Sequence, residues 1–471
     1  MNNTDNNKRN NKTFHICQVA FSCINASRLR RWYQRTFGFS KSGKAIFPPP
    51  GTSQIQGIPG AWEKCFWLVD QQDYFQLEFF QFTAPVPKPR SHPVLPSDIG
   101  YNLLGLVVDN FDNVIKTLRA QDIDVIIRET DSNSDRRAYL QDPEGNWLEL
   151  FEQDPLDALD LVKATVSKPE IPTLARSIRI SVEDLMTARD SFCTGMGMVE
   201  VSNHALHTPE TETLWGLNNV ISQHILLRAD NFLVELIQYT HPSVRKRPQD
   251  YRLCDQGFMN IAFAYPSTKA FNRAFNHATR SGLQANHSSP VDIGVFRVMY
   301  VNDPQGISIE LIHARKAFQG LTGFKPSHPY FINEIEIAAP LSAVWQKLTN
   351  HDQLGQWMMF NGRVITPGKE RNGNGCIRCI SAFSMDVQEE ITHWQPLSHY
   401  RYRVLSGAPF RWYQGDIFIE DTGKNTSKVR WGVRFEDRLP LSGRLIATLL
   451  REIFRRDLKR LKWQLEASHP G

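Results

Sequence analysis

A chain of 471 residues is too long for one domain and suggests about three. Hydrophobic content of 41% with 22% charged residues fits soluble globular domains. No apolar run approaches the ~20 residues of a membrane span, and a formal net charge of +5 is too small at this length to argue for nucleic acid.

Residues 1–12 are polar and Asn-rich, which predicts a disordered tail rather than a secretory signal. Seven scattered cysteines fit a reducing compartment, so a cytoplasmic location is expected. A strand is predicted over Ile16 to Cys23, then a helix from Ala26 to Thr36 that leads into Gly38-Phe39. A strand from Tyr74 to Phe79 carries Glu78. Next come the strand Leu103 to Val108, the helix Phe111 to Gln121, the strand Asp124 to Ile127 and a hairpin, Arg137 to Gln141 with Asn146 to Glu152. The hairpin turn is Asp142-Pro-Glu-Gly145, in which Pro presets φ and Gly supplies the positive φ. In its second strand Trp147, Glu149 and Phe151 share one face, with Leu148 and Leu150 on the other. Glu149 is therefore a mid-strand carboxylate among bulky apolar neighbours, and it needs a cation, a donor or water if buried.

The same order of elements then recurs. Ser177 to Val182, Leu185 to Thr194 and Gly197-Met198 repeat the opening. Asn231 to Leu236 repeats the middle strand with Glu235. Asn260 to Ala264, the helix Thr268 to Gly282 and the turn Asp303-Pro-Gln-Gly306 repeat the second half, with Glu310 in place of Glu149. Gly38 and Gly197 lie 159 apart, Glu78 and Glu235 157, and Glu149 and Glu310 161, which is the mark of a duplication. Proline-broken stretches separate the units. The expected division is domain one at 13–153, a linker at 154–171, domain two at 172–316, a linker at 317–328 and domain three at 329–471.

The two Asp-Pro-x-Gly-x-x-x-Glu-Leu hairpins and the Tyr33-Gln-Arg-Thr-Phe-Gly-Phe39 helix end resemble the vicinal oxygen chelate superfamily, which includes glyoxalases, bleomycin-resistance proteins and extradiol dioxygenases. The resemblance covers about two-thirds of the chain by the spacing argument. It implies an α+β fold, with two tandem domains of paired βαβββ modules curled around cavities. It also implies metal-ligand positions at Gln18, Glu78, Leu103 and Glu149 in the first domain, and at Ser177, Glu235, Asn260 and Glu310 in the second. The carboxylates are all retained, but the usual first-strand histidines are not. Leu103 cannot ligate, and Ser177 and Asn260 are poor ligands for a borderline metal. The implied metal set is Gln18, Glu78 and Glu149, an oxygen-only set suited to Mg²⁺, Mn²⁺ or Fe²⁺. With no metal, Glu78 with Glu149, or Glu235 with Glu310, can serve as a general acid and base if burial splits their pKa values. The bland alternative is an inherited carboxylate satisfied by its neighbours, and it is expected for one of the two domains. His204, His207, His224 and His241 match no metal spacing and read as loop or strand-face residues. Cys376-Ile-Arg-Cys379 reads as structural.

The last third alternates differently. A strand from Phe331 ends at Pro340, a short helix follows from Leu341 to Asn350, and further strands lead to a long helix over about 442–466 with a basic outer face. Ile337-Ala-Ala-Pro-Leu-Ser-Ala-Val-Trp345, Ile391-Thr-His-Trp394-Gln-Pro396 and Ser427-Lys-Val-Arg-Trp431 resemble the START-like polyketide cyclase/dehydrase superfamily. That resemblance implies a helix-grip cup for a hydrophobic small molecule and no shared catalytic residue. Arg378, Glu390, His393, Tyr402, Arg403 and Tyr413 are the polar strand residues from which alternation selects the inward half.

Together these readings point to lyase, cyclase or isomerase chemistry on a hydrophobic, oxygenated small molecule, with Glu149, Glu310, Glu78 and Glu235 as candidate catalytic groups. An extradiol-type dioxygenase and a non-enzymatic sequestering protein are the alternatives. Nucleic acid and a membrane span are not expected.

Overall fold

The computed structural model describes residues 14–72, 75–128, 136–159, 161, 171–201, 204–229, 232–314, 330–382, 385–423, 425–437 and 443–468. The expected tail and most of both linkers fall outside these residues. The chain forms two compact units, 1–326 and 327–471.

The first unit contains four modules in chain order. Module one is β1 (His15–Ser22), the helix Ala26–Phe37, β2 (Ser40–Phe47), β3 (Trp62–Val69) and β4 (Gln76–Ala84). Module two is β5 (Gly100–Val108), the helix Phe111–Arg119, β6 (Val125–Arg128), β7 (Arg137–Gln141) and β8 (Trp147–Phe151). Module three is β9 (Thr173–Ser181), the helix Leu185–Asp190, β10 (Val199–Glu200), β11 (Ile221–Ala229) and β12 (Phe232–His241). Module four is β13 (Gly257–Ala264), the helix Thr268–Arg280, β14 (Gln284–Ala285), β15 (Val291–Asp292), β16 (Phe296–Asn302) and β17 (Ser308–Ala314).

Local chemistry sets the helix ends. The Asn25 side chain accepts from the Arg28 N–H at 3.0 Å at the start of the first helix. Gly38, at φ 73°, closes it by donating its N–H to the Gln34 carbonyl. The two turns foreseen as Asp-Pro-x-Gly place Gly145 and Gly306 at φ 78° and 80°.

Module pairing crosses the two halves of the duplication. The first sheet runs β14-β16-β17-β13-β1-β4-β3-β2, with β15 on β16, and joins modules one and four. The second runs β10-β11-β12-β9-β5-β8-β7-β6 and joins modules two and three. Neither 13–153 nor 172–316 therefore closes a sheet of its own. One apolar core runs through all four modules, including Tyr33, Phe79, Leu106, Ile180, Phe232 and Phe263. That continuity is the physical reason the two halves form a single unit.

The second unit is a seven-stranded antiparallel sheet and a long helix, Gly443–Ser468. Its strands are β18 (Tyr330–Ile337), β19 (Asn361–Thr366), β20 (Ile377–Ala382), β21 (Met385–Gln395), β22 (His399–Ser406), β23 (Phe410–Gly423) and β24 (Thr426–Asp437), in the order β18-β24-β23-β22-β21-β20-β19. Ile453, Phe454, Leu458, Leu461 and Leu465 of the helix join the sheet's core, as the helix-grip expectation requires. Among the described residues, no helix is long and apolar enough to cross a membrane.

The second sheet closes tightly where β5 meets β9. A Cβ built on Gly105 would lie 2.1 Å from Ser177 Oγ and 2.6 Å from the Phe151 ring. Gly105→Ala should therefore cost about 1–3 kcal/mol. Urea unfolding checks this, and an unchanged midpoint would contradict the packing.

Candidate functional site

Two equivalent strand crossings carry the four carboxylates. In the first sheet Gln18 lies opposite Ala262 and Ala20 opposite Asn260. Glu78 pairs beside Ala20, and Glu310 beside Ala262. Gln18, Glu78, Asn260 and Glu310 thus converge, two from module one and two from module four. In the second sheet Leu103 lies opposite Arg179 and Gly105 opposite Ser177. Glu149 pairs beside Gly105, and Glu235 beside Arg179. The expected set of Gln18, Glu78 and Glu149 is therefore not brought together. Glu149 sits in the other sheet, and Glu310 takes its place beside Gln18 and Glu78.

The first-sheet site is a cavity of about 40 Å³ lined by Gln18, Glu63, Glu78, Tyr300 and Glu310 among apolar side chains. That volume holds water or an ion. The Trp67 indole N–H donates to Glu78 Oε1 at 2.7 Å and the Cys65 thiol approaches the same oxygen at 3.3 Å. Asn260 Nδ2 donates to Glu310 Oε2 at 3.0 Å. Gln56 Nε2 donates to both oxygens of Glu63 at 3.0 Å. Among the described residues, no Lys, Arg or His lines the cavity. Burial consequently dominates. It pushes Glu78 up to about 7, against the hydrogen bonds from Trp67 and Cys65. It pushes Glu310 well up, reinforced by the charge of Glu78. Glu63 is also raised by burial and by both other carboxylates. Asn260 Oδ1 is buried without a hydrogen-bond partner.

The second-sheet site has the same carboxylates and the opposite electrostatics. His207 bridges them: Nε2 lies 2.9 Å from Glu149 Oε2, and Nδ1 bonds Glu235. Arg137 Nη1 donates to Glu149 at 3.1 Å and the Tyr139 hydroxyl donates at 2.9 Å. Arg179 pairs with Glu235 at 3.4 Å and with Glu212 at 2.8 Å. Trp215 closes the space, with the Arg179 guanidinium 4.6 Å from its ring and the His207 ring 5.2 Å away. Burial opposes every one of these charges, but the partners outweigh it. Glu235 is held down at about 2, chiefly by His207 and Arg179, and Glu149 is lowered by His207 and Arg137. His207 is raised to about 8 by Glu235 and Glu149. This is a satisfied ionic core rather than an open site.

Glu63, Tyr300, Arg137, Arg179 and His207 were not among the sequence candidates. Arg179 was legible in principle: Ser177-Ile-Arg179 aligns with Asn260-Ile-Ala262, and two residues along a strand share a face. His207 was read as a loop or strand-face residue. It lies outside any strand, and only the fold shows that it is buried between two carboxylates.

In the second unit Arg378, Tyr402 and Tyr413 are buried, whereas Glu390 pairs with Arg403 at 2.7 Å on the partly exposed face. Glu389, not Glu390, faces inward and holds Arg378 at 2.8 Å. Arg378 also contacts His351 Nδ1 at 3.0 Å and lies 4.6 Å from the Tyr402 ring. Burial and Arg378 keep His351 neutral, with its pKa well below the usual value. Cys376 and Cys379 are both free and buried, in keeping with a structural role.

Residues 15–150 match the family model described as glyoxalase/bleomycin resistance protein/dioxygenase superfamily, and residues 331–466 that of polyketide cyclase/dehydrase and lipid transport. No curated protein matches the chain. Among solved structures, glyoxalase I from Zea mays is 12% identical over 64% of this chain and 92% of that one, with a TM-score of 0.44. A putative dioxygenase from Bacillus subtilis is 11% identical over 67% and 91%, with a TM-score of 0.46. A START superfamily protein from Mycobacterium smegmatis is 12% identical over 30% and 98%, with a TM-score of 0.27.

The ionic core has a pH signature. His207 is raised from 6.5 to about 8, so its stabilising effect is complete below 6.5 and lost as pH rises through about 8. Glu235 is lowered from 4.5 to about 2, so its effect is complete above 4.5 and lost toward 2. The stability gap between the wild type and His207→Gln should therefore be widest between pH 4.5 and 6.5 and shrink above 8. Melting curves across this range check it, and a gap constant from pH 6 to 9 would show that His207 is uncharged.

Proposed function

From a chain whose residues 15–150 belong to the glyoxalase superfamily and whose residues 331–466 belong to the polyketide cyclase/dehydrase family, we propose an enzyme that acts on a hydrophobic, oxygenated small molecule in the first-sheet site. The reaction class is lyase, cyclase or isomerase. One observation carries this reading: Glu78 and Glu310 share a buried cavity to which no described residue supplies a cation, and both are raised in pKa. Near neutral pH such a pair holds one proton between two carboxylates, so an acid and a base are present together. The ionised member takes a proton from the carbon beside a carbonyl. The protonated member gives its proton to the carbonyl oxygen, and an enol results. Asn260 and Tyr300 orient Glu310, and Trp67 orients Glu78. Only the reacting group fits the cavity as it stands, so the substrate's body belongs at its mouth.

A divalent metal suits the donor set. Gln18, Glu78 and Glu310 line the cavity with oxygens, and Asn260, hydrogen-bonded to Glu310 beside them, has an Oδ1 without a partner among the described residues, a combination suited to Mg²⁺ or Mn²⁺. Among the described residues no three His, Cys, Asp or Glu side chains form a metal cluster; two carboxylates and two amides would do the holding. When bound, such an ion polarises adjacent substrate oxygens. The extradiol alternative calls for an iron site with histidine ligands, and Gln18 and Asn260 occupy the positions where those would stand. The second unit, with its aromatic interior around Trp357, Trp431 and Phe454, is assigned to hydrophobic ligand binding.

A panel of oxygenated aromatics and polyketide-like ketones, followed by mass spectrometry, tests the assignment. Wild type should consume a compound that Glu310→Gln and Glu78→Gln consume about 10²–10⁴-fold more slowly. Glu149→Gln, if it still melts cooperatively, should keep its rate within a few-fold. Loss in Glu149→Gln with retention in Glu310→Gln would overturn the choice of site. Equal retention of an unchanged compound by all four proteins would establish the sequestration alternative.

A further inference from the structure

The first unit holds a second, larger cavity of about 430 Å³, within the usual size range of small-molecule sites. It lies where the connection from β4 to β5 meets the connection from β12 to β13. Five cationic residues and three aspartates line it. The aspartates are engaged: Asp98 with Arg245 at 2.6 Å, Asp250 with Lys88, and Asp255 with Arg252 at 2.6 Å. Lys246 pairs outward with Glu183 at 2.6 Å. Arg90 and Arg247 remain, and neither forms an ion pair among the described residues.

These two arginines are 157 residues apart, the spacing of the duplication. Each is fixed in the same way, by a neutral acceptor on an Asp-Pro-x-Gly turn. Arg90 Nη1 donates to the Glu144 carbonyl at 2.7 Å and Nη2 to Asn146 Oδ1 at 2.5 Å. Arg247 Nη1 donates to the Gly306 carbonyl at 2.6 Å. Each guanidinium also lies against a glycine of the other connection's following strand. A Cβ on Gly257 would be 3.0 Å from Arg90 Nη2, and one on Gly100 would be 2.8 Å from Arg247 Nη2. The carboxylates near Arg90 are turned to neutral donors rather than paired with it directly: Asp142 accepts from Tyr33 and Asn146, and Glu144 from the N–H groups of Ile24 and Asn25. The two guanidiniums are thus held rigidly at the cavity without a direct carboxylate contact among the described residues, although Asp142 and Glu144 lie near Arg90 and Asp303 near Arg247, and burial makes the charge of Arg90 costly. Asn102, 2% exposed, lines the same cavity, and its Oδ1 has no hydrogen-bond partner.

We propose that this cavity is an anion site for a small molecule bearing a phosphate or carboxylate, gripped by Arg90 and Arg247. A role limited to stapling turns accounts for the carbonyl contacts. It leaves the cavity itself unaccounted for.

The test is the melting temperature of the full chain against increasing pyrophosphate, inorganic phosphate or citrate, each compared with NaCl at matched ionic strength. At least one anion should raise it saturably above the salt control. Pyrophosphate outranking citrate assigns a phosphate ligand; the reverse assigns a carboxylate. Arg247→Gln should weaken the midpoint at least tenfold. Asn102→Asp, which places a negative charge on the cavity wall, should do the same and decides the matter if Arg247→Gln does not fold. No saturable effect from any anion, or one that both variants leave unchanged, would overturn the proposal.

Discussion

A carboxylate buried in the middle of a strand has to be compensated, and this chain meets that requirement in two ways. At Glu149 and Glu235 the compensation is cationic: Arg137, Arg179 and His207 surround the pair and hold it ionised. At Glu78 and Glu310 the neighbours are an indole, a thiol, an amide and a phenol, which donate hydrogen bonds but bring no charge. The first pair is stabilised as ions. The second pair is penalised as ions, and its proton affinity rises into the range where proton transfer is useful. The duplication therefore yields, from the same four strand positions, one carboxylate pair held ionised by cations and one whose proton affinity is raised by burial.

Which carboxylates meet is decided by the crossing of modules. Antiparallel pairing of β1 with β13, and of β5 with β9, puts the first module beside the fourth and the second beside the third. Ala262 and Arg179 occupy equivalent places in the two crossings, and the difference between a methyl group and a guanidinium there separates an open site from a filled one. Gly105 allows the closer approach at the filled crossing, as the contact of its missing Cβ with Ser177 shows.

Much of this was legible in the residues. The Asp-Pro-x-Gly hairpins, the constant spacing and the strand alternation located all four glutamates on their strands. The long C-terminal helix was read from periodicity, and the cup followed from the START-like resemblance. Module pairing was not legible, because a βαβββ pattern states which strands exist and not which edge each will find. Glu149 was accordingly grouped with Gln18 and Glu78. His207 escaped for a related reason: a histidine in a connection carries no periodicity, and its partners Glu149 and Glu235 are 58 and 28 residues away. In the cup, alternation separated Arg378 from its neighbours but not Glu389 from Glu390, since a register irregularity lies between Gln388 and Glu389 where β21 meets β22.

The proposed chemistry requires that Glu78 and Glu310 share a proton near neutrality while Glu149 and Glu235 do not. The direct measurement is carboxyl titration by ¹³C NMR on chelator-treated protein carrying labelled glutamate, with Glu78→Gln and Glu310→Gln to assign the signals. A carboxyl that titrates near 7 and vanishes in Glu78→Gln is expected, together with a Glu310 signal titrating well above the usual carboxylate range and a Glu235 signal still ionised down to about pH 2. Glu78 and Glu310 both titrating near 4.5 in metal-free protein would contradict it.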